Sequence, residues 1–189
     1  DDQETVVDYA KVLSKYDRDE EAIDVFNKAL SLDSTNPEAH SALADTFMKN
    51  KEYDKAVFEY QKAVTLDPKD EDSLIKLGNA YKAQSDTKSA LAQYEKVVQL
   101  NIKNTDAMFN AGLCYAEMKD LEKAKTAFCN VIAIDPNYAY AYYALGMAYE
   151  SEKKYADAIT NYEKFMSITS DSDMKSQVKN QVDYLKSLK

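Results

Sequence analysis

Residues 74–98 read LIKLGNAYKAQSDTKSALAQYEKVV, and this stretch decides the fold. Leu74, Leu77, Gly78 and Tyr81 stand at i, i+3, i+4 and i+7, one apolar stripe of an α-helix. Ala90, Leu91, Tyr94, Val97 and Val98 make a second helical stripe. Between them Ser85-Asp86-Thr87-Lys88 is a short polar turn. The segment therefore reads as two antiparallel helices of roughly 14 residues, about 21 Å each at 1.5 Å per residue. Gly78 and Ala90 are small, which lets the paired helices approach closely, and Tyr94, four residues on, fills the space beside them.

The same pattern recurs along the chain. A shift of 34 residues aligns five blocks without a gap: 3–36, 37–70, 71–104, 105–138 and 139–172. One column is Ala22, Ala56, Ala90, Ala124 and Ala158, and four residues later come Phe26, Tyr60, Tyr94, Phe128 and Tyr162. A small column, Ala10, Ala44, Gly78, Gly112 and Gly146, holds all three glycines. Three residues after it stand Leu13, Phe47, Tyr81, Tyr115 and Tyr149. Near the block ends come Leu32, Leu66, Leu100, Ile134 and Ile168, with Pro68 and Pro136 two residues beyond two of them. Asn36-Pro37-Glu38 is a helix start, with a capping side chain, a proline in the first turn and an acid beside it.

These columns resemble the tetratricopeptide repeat, large-x2-Leu-Gly-x2-Tyr followed by Ala-x3-Phe and Pro. Leu77-Gly78 with Tyr81, Ala90 and Tyr94 matches it, as do Leu145-Gly146 with Tyr149, Ala158 and Tyr162. The departures are the lack of Trp and the lack of the terminal Pro in blocks one, three and five. The expected fold class is thus all-α, an α-solenoid of five helix-turn-helix repeats. One hairpin cannot hide its own apolar face, so neighbours must stack and the ends need polar caps. In 173–189, Met174, Val178, Val182 and Leu185 form one stripe while Lys175, Lys179, Asp183 and Lys186 face away, as a C-terminal capping helix requires. The N-terminal end has no comparable cap.

Composition agrees. Three Gly and three Pro in 189 residues suit a nearly all-helical chain, since these residues break helices, and 45% hydrophobic content is enough for a core. A formal charge of -9 repels phosphate backbones, which argues against nucleic acid as a partner. No apolar run approaches membrane-spanning length, so membrane insertion is not expected. The start at Asp1-Asp2 instead of Met reads as a processed form or an excised fragment. The cytoplasm is the favoured compartment, with export or a periplasmic location left open.

The residues of catalysis are missing. His40, the single histidine, occupies a large-residue column with Val6, Leu74, Met108 and Tyr142, and reads as a packed or half-buried ring. Cys114 and Cys129 lie on the two helices of block four and read as small buried hydrophobes. The pattern offers no metal ligand set, no phosphate-binding glycine loop and no spaced calcium ligands. No enzyme activity, cofactor or metal is expected.

The resemblance implies a right-handed superhelix whose concave wall, lined by the first helix of each repeat, takes peptide ligands. It also allows a test of the family's carboxylate clamp. Asn79 and Asn110 are present, but Ile75, Tyr140 and Ala144 stand where cations would be needed, so the clamp is not expected. The wall is apolar instead. Phe109 and Leu113 are an i, i+4 pair, as are Tyr143 and Met147. With Ile75, Asn79, Lys82, Tyr140 and Glu150 they make the expected partner-binding groove, edged by Asp72, Asp106 and Glu150. The expected ligand is a protein or peptide, apolar or amphipathic, with basic flanks. The chain reads as an interaction scaffold. Self-assembly into a homo-oligomer, or a place within a larger enzyme or secretion component, is the alternative.

Overall fold

The computed structural model describes residues 3–188. They form eleven helices: α1 (Gln3–Lys15), α2 (Asp19–Leu32), α3 (Pro37–Lys49), α4 (Tyr53–Leu66), α5 (Glu71–Ala83), α6 (Thr87–Leu100), α7 (Thr105–Glu117), α8 (Leu121–Ile134), α9 (Ala139–Ser151), α10 (Tyr155–Ile168) and α11 (Ser172–Ser187). No strand occurs among the described residues. The molecule is an all-α solenoid of helical hairpins. Two compact units are distinguishable, one ending at Leu100 and the other beginning at Asn101.

The helix starts follow from capping. The Asn36 and Asn104 side chains accept from the N–H groups of Ala39 and Ala107, and the Asp70 and Asp171 carboxylates accept from the first turns of α5 and α11. The first helix of each hairpin stops in the same way each time. Asp17, Lys51, Ser85, Lys119 and Lys153 all have φ between 60° and 64°. Behind each, the next residue's N–H returns to a carbonyl five residues back, as in Arg18 to Leu13 at 3.0 Å and Asp86 to Tyr81 at 2.9 Å. This is the helix-ending turn usually built on glycine. Here non-glycine residues hold it, because every Gly is committed elsewhere.

That commitment is steric. A Cβ on Gly78 would come within 2.6 Å of the Tyr94 ring, one on Gly112 within 2.5 Å of Phe128, and one on Gly146 within 2.4 Å of Tyr162. The aromatic ring of the second helix therefore lies directly on the backbone of the first. In the first unit the core runs through Ala10, Leu13, Phe26, Leu43, Phe47 and Tyr60. In the second, Ile159, Tyr162 and Phe165 of α10 pack with Val178, Val182 and Leu185 of α11. The stripe expected on the capping helix is thus the face that α11 buries.

Candidate functional site

In the first unit α5 carries Ile75 and Lys82, both half-buried, and Asn79, which is exposed. The Tyr94 hydroxyl donates to Asn79 Oδ1 at 2.7 Å, so this amide also ties α6 to α5.

The second unit holds the other expected groove residues. Phe109 is half-buried, its ring centroid 5.6 Å from Phe128 and 5.2 Å from Tyr138. Leu113 is likewise half-buried. Tyr143 packs at 5.8 Å from Tyr162 and 5.3 Å from Phe165. Tyr140 touches Phe165 at 6.0 Å yet remains 47% exposed, and Met147 is 52% exposed. The apolar set therefore divides: Phe109, Leu113 and Tyr143 are shared between packing and surface, whereas Tyr140 and Met147 are open.

Glu150 sits where α9, α10 and α11 meet. The Tyr162 hydroxyl donates to its Oε2 at 2.7 Å, and the Gln181 amide donates to its Oε1. Expected in the groove and at its edge, this acid forms part of the wall of a cleft of about 520 Å³ lined by Tyr143, Met147, Glu150, Tyr162, Gln177 and Gln181. Gln177 and Gln181 were not anticipated. Their signal is modest: an i, i+4 polar pair on α11 beside the buried Val178 and Val182. The other expected edge acids also have partners, Asp106 accepting from the Tyr138 hydroxyl at 3.1 Å and Asp72 pairing with Lys76 at 2.9 Å.

These contacts have a pH consequence. Burial, reinforced by the Asp106 carboxylate, pushes the Tyr138 hydroxyl up to about 12. Burial and a carboxylate partner raise Tyr60, bonded to Asp45, and Tyr162 further still. Lys125, held by Glu122 at 2.7 Å and Glu152 at 2.6 Å, is also raised, to about 12. Each group keeps its proton longer when folded. The stability it contributes is therefore complete below the ordinary pKa near 10 and lost as pH rises through the folded value. Urea midpoints should stay level to about pH 9 and fall between about pH 10 and 12, with delayed tyrosinate absorbance in the same window.

His40 is buried, with Nδ1 2.6 Å from Glu59 Oε2 and Nε2 3.2 Å from the Ser34 carbonyl. It is a packed ring with a carboxylate partner that sequence reasoning missed. Cys114 is buried as expected, but Cys129 is exposed, and neither forms a disulfide. Cys129 lies on the exposed face of α8 with Thr126 and Asn130, next to the buried Phe128. Among the described residues no three His, Cys, Asp or Glu side chains gather to hold a metal ion, and no helix is long and apolar enough to cross a membrane.

Comparison with known families settles what this architecture is. Models described as TPR repeat match residues 17–51 and 44–85, and models described as tetratricopeptide repeat match 75–139 and 130–160. The chain belongs to the tetratricopeptide repeat family. Among solved structures, this tetratricopeptide repeat chain is similar to YrrB, described as a TPR protein with an unusual peptide-binding site. The TM-score is 0.80 at 27% identity, over 95% of this chain and 92% of that one. It is similar to MamA at a TM-score of 0.81 and 25% identity, over 87% of this chain and 90% of that one. It shares its fold with the pilF protein of Pseudomonas aeruginosa at a TM-score of 0.75 and 21% identity, over 97% and 91% of the two chains. No curated protein sequence matches the chain significantly. Tetratricopeptide repeat folds are typical of protein–protein interaction scaffolds and are generally non-catalytic.

Proposed function

We propose that this tetratricopeptide repeat protein is a non-catalytic scaffold whose second unit captures an apolar or amphipathic segment of a partner protein. In this reading the five blocks 3–36 to 139–172 are the repeats, and 173–189 is the cap that completes the binding cleft. The observation that carries the reading is the cleft between α9 and α11, where Met147 leaves apolar surface open beside Glu150, with the exposed Tyr140 adding apolar surface nearer the start of α9. A monomeric surface keeps such apolar exposure where it has a use. Both hydrogen bonds to Glu150 come from neutral donors, so a basic group flanking the apolar segment would find a counter-charge there. The peptide-binding site described for YrrB lends the reading support by likeness. Ile75, Asn79 and Lys82 hold the equivalent positions on α5 and are included in the same proposed function as a binding face of the first unit.

Phe109 and Tyr143 pack within their own unit, so truncating them would confound folding with binding. Met147 and Tyr140 are the better probes. Peptides selected from a random library on the wild-type protein should be rich in apolar residues with Lys or Arg at the flanks. Their affinity, read by fluorescence anisotropy, should fall at least about tenfold in Met147→Glu, with the urea midpoint unchanged, and several-fold in Tyr140→Ala, whose stability loss stays under about 1 kcal/mol. Full affinity in the Met147→Glu/Tyr140→Ala double variant would place the site elsewhere.

A further inference from the structure

Two acids accept a tyrosine hydroxyl in the same way, and only one of them also has a cation. In blocks two and three the hydroxyl of the aromatic column donates to the first helix of its own hairpin, Tyr60 to Asp45 and Tyr94 to Asn79. In block five that acceptor column holds Met147, and the Tyr162 hydroxyl reaches Glu150 instead, 2.7 Å away. Asp45 and Glu150 then differ in what the next helix brings. Asp45 receives the Lys76 ammonium of α5 at 3.0 Å. Glu150 receives only the neutral Gln181 amide of α11. It is half-buried, yet no lysine or arginine among the described residues pairs with it. Glu152, two residues on, is held by both Lys125 and Lys154. The other blocks put Ser14, Met48, Lys82 and Ala116 at the Glu150 position, so the repeat itself does not require an acid there.

The geometry favours one cation over the others. A carboxylate offers about two acceptor positions on each oxygen. Tyr162 takes one on Oε2 and Gln181 takes one on Oε1, which leaves one on each oxygen. Two adjacent acceptors match the fork of a guanidinium, whereas an ammonium is a point charge without that fork. The two neutral donors also hold the carboxylate in one orientation, so little ordering is left for the moment of binding. The rest of the cleft suits an arginine side chain. Met147 and Val178 line it with apolar surface for the methylene stem, and the Tyr143 ring offers a face to the planar head. Gln177 adds an amide oxygen for a further N–H.

We infer that the cleft between α9 and α11 seats an arginine side chain of the partner, with its guanidinium bound bidentately by Glu150. The inference rests on the cleft being the partner site and names the residue that enters it.

Three small probes test it: the Nα-acetyl amides of arginine, lysine and citrulline, titrated into the 189-residue chain. Binding is read from NMR shifts of the Met147 methyl and the Gln177 and Gln181 side-chain amides. The arginine probe should bind with a Kd of about 1–10 mM. The lysine probe should bind several-fold more weakly, and citrulline, which keeps the shape without the charge, at least about tenfold more weakly. Glu150→Gln should cost the arginine probe at least about tenfold and erase its advantage over citrulline. The comparison of probes on the wild type stands even if that variant folds poorly. Equal binding of arginine and citrulline, equal binding of arginine and lysine, or arginine shifts that a folded Glu150→Gln protein reproduces would each overturn the inference. Library peptides separate this from the broader reading. Peptides weakened by Met147→Glu but indifferent to Glu150→Gln would remove the arginine and keep the apolar site. Peptides indifferent to Met147→Glu would remove the apolar site, whatever the arginine probe does.

Discussion

Replacing Phe165 with alanine is expected to lower the unfolding free energy of the second unit by about 3–5 kcal/mol, the usual cost of emptying a fully buried aromatic site. Phe165 has no exposed surface and joins three elements. It lies 5.3 Å from Tyr143 and 6.0 Å from Tyr140 of α9, and it shares a core cluster with Val178, Val182 and Leu185 of α11. Solenoids are stabilised by nearest-neighbour interfaces, so the loss concentrates at the contact of α10 with α11. Urea titration should show the drop, and amide hydrogen exchange should show α11 losing protection first. The contrast is Tyr140→Ala at the same ring contact: a side chain nearly half exposed should cost under about 1 kcal/mol. A Phe165→Ala protein within about 1 kcal/mol of the wild type would refute the account of how α11 is held.

Truncating Glu59 to alanine is expected to cost about 2–3 kcal/mol in the first unit. The reason is what it leaves behind. His40 is buried, and its Nδ1 would lose the carboxylate 2.6 Å away. Removing both polar groups should cost far less. The His40 column holds Leu74 in the next repeat, buried without difficulty, so a leucine fits this position. The His40→Leu/Glu59→Leu variant should unfold within about 1 kcal/mol of the wild type, while Glu59→Ala alone is clearly destabilised. Equal losses in the two proteins would mean that packing volume, and not the polar pair, sets the stability here.

Nearly every helix was legible in the sequence, because each column has a local physical cause. Asn36, Asp70, Asn104 and Asp171 announce helix starts through side-chain capping. The small column and the aromatic one sixteen residues on are legible as a pair, since the ring needs the space that glycine or alanine leaves. The helix-ending turns were less legible. Asp17, Lys51, Ser85, Lys119 and Lys153 adopt left-handed backbone without being glycine, and only their shared position in the repeat marks them. The Glu59 partner of His40 and the exposure of Cys129 were not legible at all, because both depend on which side of a second helix faces its neighbour.

The candidate site was legible as a set of residue types and not as a surface. Phe109, Tyr143 and Met147 look equivalent in the sequence, each large and apolar on the first helix of a repeat. The structure separates them, since rings that reach Phe128 or Phe165 become part of the packing while Met147 stays open. Glu150 shows the same division. Its carboxylate reads as a rim charge until α11 brings Gln181 against it from 31 residues away.

By itself the sequence determined the period, the helices, the apolar stripes and the family, because these are set by side chains within a few turns of one another. Tertiary structure alone decided which apolar side chains are spent on packing and which stay exposed. It also decided that α11 lines a cleft beside α9 and α10. The physical reason is that exposure belongs to a pair of surfaces. It is fixed when one hairpin meets the next, and no single hairpin encodes it.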